Sequence, residues 1–166
     1  MRGTIIGIHH AAINVVDMKR SIKFYTEIMN LKLVVSPRTY SGRELDHVIN
    51  VKNARVKGAL LMAEDGSILE LLQYLSPVGR PYDRRNCDLG NMHLAFRVKD
   101  ISKIYDRLTN SEVRFNTRPS TVKLGPLKGV KFVYFIDPNG VTLELFEEPT
   151  KITNSLLHSR NKGKSL

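Results

Sequence analysis

The sequence predicts an α+β fold built from two tandem β-α-β-β-β modules that form a cup-shaped mixed or antiparallel sheet. Three observations predict it: the chain repeats itself, its apolar residues alternate along most segments, and two intervening segments switch to helical spacing. The segment His10 to Met18 (HAAINVVDM) aligns with His93 to Ile101 (HLAFRVKDI) at an offset of 83 residues. Both read His-x-Ala-apolar-x-Val-x-Asp-apolar. A second pair, Gly66 to Leu72 (GSILELL) and Gly140 to Phe146 (GVTLELF), matches at an offset of 74. The difference of 9 between the two offsets predicts a longer inner loop in the first half. The chain reads as a duplication.

The elements follow in order. Residues 5–16 and 91–99 alternate as strands. In the first, Ala11, Ile13 and Val15 oppose His10, Ala12 and Asn14; in the second, Met92, Leu94, Phe96 and Val98 oppose His93, Ala95 and Arg97. Asp17 and Asp100 then stand at helix N-caps, where a carboxylate accepts from open backbone N–H groups. Met18, Ile22, Tyr25 and Met29 recur at helical spacing, as do Ile101, Ile104, Tyr105 and Leu108. Three strands follow in each half, over 31–40, 55–63 and 67–75, then over 112–118, 129–136 and 141–147. Glu64-Asp65-Gly66 and Asp137-Pro138-Asn139-Gly140 are turn sequences joining the last two strands of each half. The expected organisation is one domain over 1–150, with modules 5–75 and 91–148, a linker 76–90, and a basic tail 151–166.

Composition limits the function. A chain of 166 residues with 42% hydrophobic and 25% charged residues buries a core without staples, which excludes disordered and fibrous classes. No apolar run approaches the roughly 18 residues of a spanning helix, so no membrane partner is expected. His9, His10 and Asn14 interrupt the apolar N-terminal stretch and no small-residue cleavage site follows, so no secretory signal is expected. The single Cys87 excludes a disulfide framework and a thiolate-rich zinc site, and fits a reducing, cytoplasmic setting. Of the net charge of +10, Lys151, Arg160, Lys162 and Lys164 put +4 on the tail, leaving +6 on the body. Apart from a small cluster of Arg80, Arg84 and Arg85, the body's charge is scattered and forms no basic stripe. No nucleic-acid partner is expected.

The period of two along a strand selects the chemistry. Leu69 and Leu71 face the core and leave Glu70 on the opposite side; Val141, Leu143 and Leu145 do the same for Glu144. Since each helix covers the apolar face of its sheet, His10, Glu70, His93 and Glu144 are expected to project from the other face into a cup. A carboxylate flanked by leucines is costly to leave unpaired in a closed site. Two imidazoles and two carboxylates balance one divalent ion, and this N₂O₂ set suits Ni, Co, Zn, Fe or Mn better than Ca or Cu(I). Four protein ligands on an octahedral ion leave two positions for a bidentate oxygen substrate.

These motifs resemble the vicinal oxygen chelate superfamily, which includes glyoxalase I, methylmalonyl-CoA epimerase, fosfomycin and bleomycin resistance proteins, and extradiol dioxygenases. The resemblance spans 5–148 and rests on His10 to Asp17 with Ser21 to Tyr25, Leu69-Glu70-Leu71, Met92 to Phe96, and Asp137 to Leu145. It implies a metal-holding cup of paired modules, commonly in a homodimer. It places His10 rather than His9 in the ligand position, seven residues before the Asp, and leaves His9 as a core-facing structural residue.

Occupancy of all four ligand positions resembles glyoxalase I and methylmalonyl-CoA epimerase, in which a carbon acid beside a carbonyl is deprotonated through a metal-stabilised enediolate. The expected function is such a proton transfer on a small acidic or carbonyl substrate, with Glu144 or Glu70 as the base. Glu44 is another conceivable base, expected on an exposed loop. The alternatives are an extradiol-type ring-cleaving dioxygenase, for which Glu70 is surplus to a two-His-one-carboxylate set, and a non-catalytic antibiotic-binding protein. Glutathione-dependent glyoxalases carry Arg four residues after the first ligand, where this chain has Asn14; Arg97 holds the equivalent place in the second module. Asn14, Arg97 and Tyr74 are therefore the candidate substrate contacts, with Arg97 either binding an anion or lying on the surface. Tyr40, Tyr74, Phe132 and Tyr134 either line an aromatic cup or pack within the sheets.

Overall fold

In the computed structural model, which describes residues 3–81 and 85–149, the chain divides between residues 83 and 84 into two units. The basic tail and Arg84 lie outside the described residues. The first unit runs β1 (His10–Asn14), α1 (Met18–Lys23), a π-helical turn (Phe24–Ile28), β2 (Lys32–Ser41), α2 (Arg43–Ile49), β3 (Arg55–Met62) and β4 (Ile68–Ser76). Its sheet has the order β1-β4-β3-β2, with β1 parallel to β4 and the other pairs antiparallel. The second unit runs β5 (Leu94–Arg97), α3 (Ile101–Asn110), β6 (Ser120–Thr121), β7 (Lys131–Ile136) and β8 (Thr142–Glu147). Its order, β5-β8-β7-β6 with β5 parallel to β8, repeats the first. Two four-stranded mixed sheets with a few helices make the α+β fold that the repeat predicts.

Local chemistry explains the elements. The side chains of Asp17 and Asp100 accept from the backbone N–H groups of Arg20 (3.0 Å) and Lys103 (3.3 Å), opening α1 and α3. Gln73 of β4 fastens the turn into α1 by donating to the Val16 carbonyl (2.8 Å) and accepting from the Met18 N–H (3.3 Å). Gly66 and Gly140 take φ of +86° and +88° in the two hairpin turns, a conformation that disfavours any side chain. Each sheet buries one face: Ile13, Leu69 and Leu71 in the first unit, and Val133, Phe135, Leu143 and Leu145 in the second. Tyr25 and Phe24 from the π-helical turn complete the first core, and Ile101 and Leu108 from α3 complete the second.

Several expectations need correction. The first strand of each half is shorter than its alternating sequence, 10–14 instead of 5–16 and 94–97 instead of 91–99. Met92 therefore falls outside β5 and is exposed. Residues 112–118 form no strand; only Phe115 bridges to Phe135, and the edge strand is the two-residue β6. Glu112 sits at φ +63°, which breaks the extended run at its start. Glu44 lies on α2 rather than on a loop, and it is exposed. Helix α2 lies in the part of the first half where the repeat offsets predict extra residues.

One carboxylate couples sheet to helix in the second unit. Glu147, at the end of β8, accepts from the Ile101 N–H at the start of α3 and pairs with Lys131 Nζ at 2.9 Å. The Ile101 N–H and then Lys131 hold its carboxyl below the ordinary 4.5. A depressed carboxylate stabilises the fold above its unfolded value, and that contribution is lost as pH falls through the folded value. Glu147→Gln should cost about 1–2 kcal/mol at pH 7. As pH falls through that depressed folded value, urea unfolding midpoints of variant and wild type should converge.

Candidate functional site

The repeated His-x-Ala motif has a structural meaning. In the parallel register of β1 and β4, Ala12 lies opposite Glu70, so His10, two residues earlier, projects from the same face. The alanine methyl leaves room for Glu70 to lean back, and Glu70 Oε2 reaches 3.2 Å from His10 Nε2. The second unit repeats the arrangement: Ala95 lies opposite Glu144 across β5 and β8, and Glu144 Oε2 is 3.1 Å from His93 Nε2. The four residues expected at the site thus form two like pairs, one in each unit.

The surroundings of the pairs differ. The Glu144 side chain is only 8% exposed, against 27% for that of Glu70. Burial pushes the Glu144 carboxyl up, and His93 and the hydroxyl of Tyr134, which donates to it, only partly offset that. Burial and the Glu144 charge in turn push the Tyr134 hydroxyl up. Tyr134 stands opposite Glu144 across β7 and β8 and packs edge-on against His93, with ring centroids 5.2 Å apart. In the first unit the extra partner is His9, whose Nδ1 is 2.9 Å from His10 Nδ1. His9 is exposed rather than core-facing, because the strand starts at His10 and its alternation does not extend back. With an ion in place of the proton at His10 Nε2, His10 Nδ1 would carry the hydrogen and could donate to His9, the tautomer a metal ligand needs.

The donor geometry fits a metal. Two cis ligands, each about 2.1 Å from a first-row ion, lie about 3 Å apart. The nitrogen–oxygen separations of 3.2 and 3.1 Å match that spacing, and they also suit a charge-assisted hydrogen bond, so each pair is satisfied without an ion. Among the described residues, no third His, Cys, Asp or Glu joins either pair in a metal-holding group. A four-ligand set therefore needs both pairs.

The remaining candidates fall at varied distances from this chemistry. Asn14 ends β1, exposed and opposite Leu72; Tyr74 is half-buried near the end of β4, opposite Val56. Arg97 ends β5 and faces Glu148, with Nε 3.6 Å from Oε2. Tyr40 is half exposed on β2, and Phe132 packs edge-on against Tyr134. Beside His93 and Tyr134 lies a pocket of about 240 Å³, which Asn86, Asn91 and Met92 complete. Sequence reasoning missed Tyr134 as a partner of Glu144, although counting back across the Asp137–Gly140 turn pairs the two residues. No sequence signal marked Asn86, Asn91 or His9.

Comparison with known proteins finds relatives in sequence and in fold. A 2-epi-5-epi-valiolone epimerase from Actinomyces sp. is 33% identical over 150 residues, covering 87% of this chain and 80% of that protein. A glyoxalase family protein from Bacillus cereus superposes with a TM-score of 0.73 at 23% identity, over 89% of this chain and 97% of that one. A fosfomycin resistance protein from Listeria monocytogenes, crystallised with Mn(II) and sulfate, superposes with a TM-score of 0.58 at 15% identity, over 89% and 97% of the two chains. Residues 7–145 match the Glyoxalase/Bleomycin resistance protein/Dioxygenase superfamily, and the chain belongs to it.

Proposed function

We propose that the protein is a divalent-metal-dependent enzyme that moves a proton on the carbon beside a substrate carbonyl, in an epimerase-, isomerase- or glyoxalase-like reaction. The observation that carries this reading is the repetition of one His–Glu pair, with 3.2 and 3.1 Å contacts, at equivalent register positions in both modules. An isolated pair is an ordinary polar contact; its repetition on two strand pairs matches a shared ligand set. The name of the epimerase relative and the Mn(II) held by the Listeria protein of the same fold add support.

In this reading His10, Glu70, His93 and Glu144 hold one ion of Ni, Co, Zn, Fe or Mn, within one chain or between the partners of a cytoplasmic homodimer. When bound, the ion supplies positive charge against the negative charge that develops on substrate oxygen. Glu144 takes the α-proton at Oε2. Tyr134 donates to the same carboxylate and fixes its direction. Glu70, more open to solvent, takes a proton from water and delivers it to the substrate carbon, and Glu144 then releases the α-proton to solvent.

Removal of the metal tests this. Exchange of a substrate α-proton with deuterium, followed by NMR across hemithioacetals, acyl-CoA epimers and hydroxylated ketones, should fall at least about a hundredfold on chelation. One of the five ions should restore it. Undiminished exchange by stripped protein would refute the reading, and oxygen uptake with catechols and Fe(II) in place of exchange would favour ring cleavage instead.

A further inference from the structure

We infer that Asn86 and Asn91, in the segment joining the two modules, select the substrate, and that the pocket they line takes the hydroxyl-bearing, uncharged part of a polyhydroxylated carbonyl compound. This rests on the reading above for the reaction, but not for the binding.

The pocket is bounded by Asn86, Asn91, Met92, His93 and Tyr134. At about 240 Å³ it is below the roughly 300–1,000 Å³ of clefts for drug-sized ligands, which suits a small molecule or one end of a larger one. Its polar wall is held in advance. Arg85 and Asp88 close on each other through the Arg85 N–H and guanidinium, and the Asn91 N–H donates to the Asp88 carbonyl at 3.1 Å. The Asn91 side chain donates to the Arg85 carbonyl at 3.0 Å, and Asn86 Oδ1 accepts from the Thr142 hydroxyl at 3.0 Å. Thr142 stands two residues before Glu144 on β8, so the wall is tied to the strand that carries the carboxylate.

Counting the amide groups gives the ligand chemistry. Asn91 spends one of its two N–H donors on the backbone and keeps the other with its Oδ1 acceptor; Asn86 accepts once at Oδ1 and keeps Nδ2 and a second lone pair. A hydroxyl both donates and accepts, so hydroxyl groups satisfy both amides. A carboxylate or phosphate, which only accepts, can use the free N–H donors but leaves the acceptor lone pairs of both amides unmatched. The cations nearby do not reverse this. On the segment 85–92 and on β5, β7 and β8, each Lys or Arg already has a carboxylate: Arg85 with Asp88, Arg97 with Glu148 and Lys131 with Glu147. Glu148 thus competes with any anion for Arg97. Held in place before binding, the amides lose little freedom when a ligand arrives.

The test measures binding apart from turnover. Wild type, Asn86→Ala, Asn91→Ala and the milder Asn91→Ser would each be titrated, with and without metal, with 2-keto-myo-inositol and 1,3-dihydroxyacetone as hydroxylated probes and with pyruvate as an anionic one. Backbone amide NMR shifts would report the affinity. Wild type should bind 2-keto-myo-inositol in preference to pyruvate, with shifts centred on 86–92 and Tyr134. Each asparagine change should weaken that binding roughly two- to tenfold while metal stoichiometry stays at the wild-type value. Equal affinity in wild type and in all three variants, or a preference for pyruvate, would overturn the assignment. Binding with this pattern but without metal uptake or α-proton exchange would leave the pocket standing and defeat the catalytic reading alone.

Discussion

Glu144→Gln should abolish measurable exchange of the substrate α-proton with solvent deuterium, a loss of about 10²–10⁴-fold. Glutamine keeps the shape and can still accept from Tyr134, but it cannot take a proton at that oxygen. It also removes a negative charge from the proposed ligand set. The core contacts of Leu143 and Leu145 on the opposite face are untouched, so the thermal midpoint should move little. If both pairs serve one centre, as proposed, Glu70→Gln should likewise abolish exchange. NMR in deuterated buffer, with circular dichroism on the same samples, reads both quantities. Full exchange in both variants would remove the two carboxylates from the proton path.

The largest expected effect on stability comes from Asp137, 4% exposed in the turn between β7 and β8. Its carboxylate accepts from the N–H groups of Asn139 and Val141 at 2.8 Å each, and from Asn139 Nδ2 at 2.9 Å. Three charge-assisted bonds to one buried oxygen pair hold the hairpin in register. Asp137→Ala leaves these half-buried donors without their charged acceptor, at a cost of about 2–4 kcal/mol. The register matters to the site, because it sets Tyr134 opposite Glu144. Denaturant titration should show the lost stability, and the variant should bind metal more weakly than its remaining fold would imply. Asp137→Asn, which keeps one acceptor oxygen, should recover part of both losses.

The parts of this molecule that were readable from sequence share a cause: each pairs a periodic pattern with a local stop signal. The Asp17 and Asp100 caps, the Gly66 and Gly140 turns and the alternating runs of β4, β7 and β8 all carry both. Helix α2 carries neither. It buries no residue, and Gly42 at its N-cap supplies no side-chain acceptor, so no apolar stripe or capping residue announces it. Residues 112–118 show the opposite failure, an alternating run with only one partner residue to pair with. At the site, the His–Glu pairs were legible because Ala12 and Ala95 repeat together with them. The asparagine wall was not, because it lies in a loop whose form depends on the contact between Arg85 and Asp88 rather than on any period.

If the two His–Glu pairs share one ion, as proposed, the metal stoichiometry of the chain will show it. Purified protein, stripped and then titrated with Ni, Co, Zn, Fe or Mn, should take up one ion per chain by elemental analysis. His10→Ala and His93→Ala should each lose that one ion, since neither pair alone supplies more than two ligands. Two ions per chain, each lost with only its own histidine, or no ion bound under any titration, would contradict a shared centre.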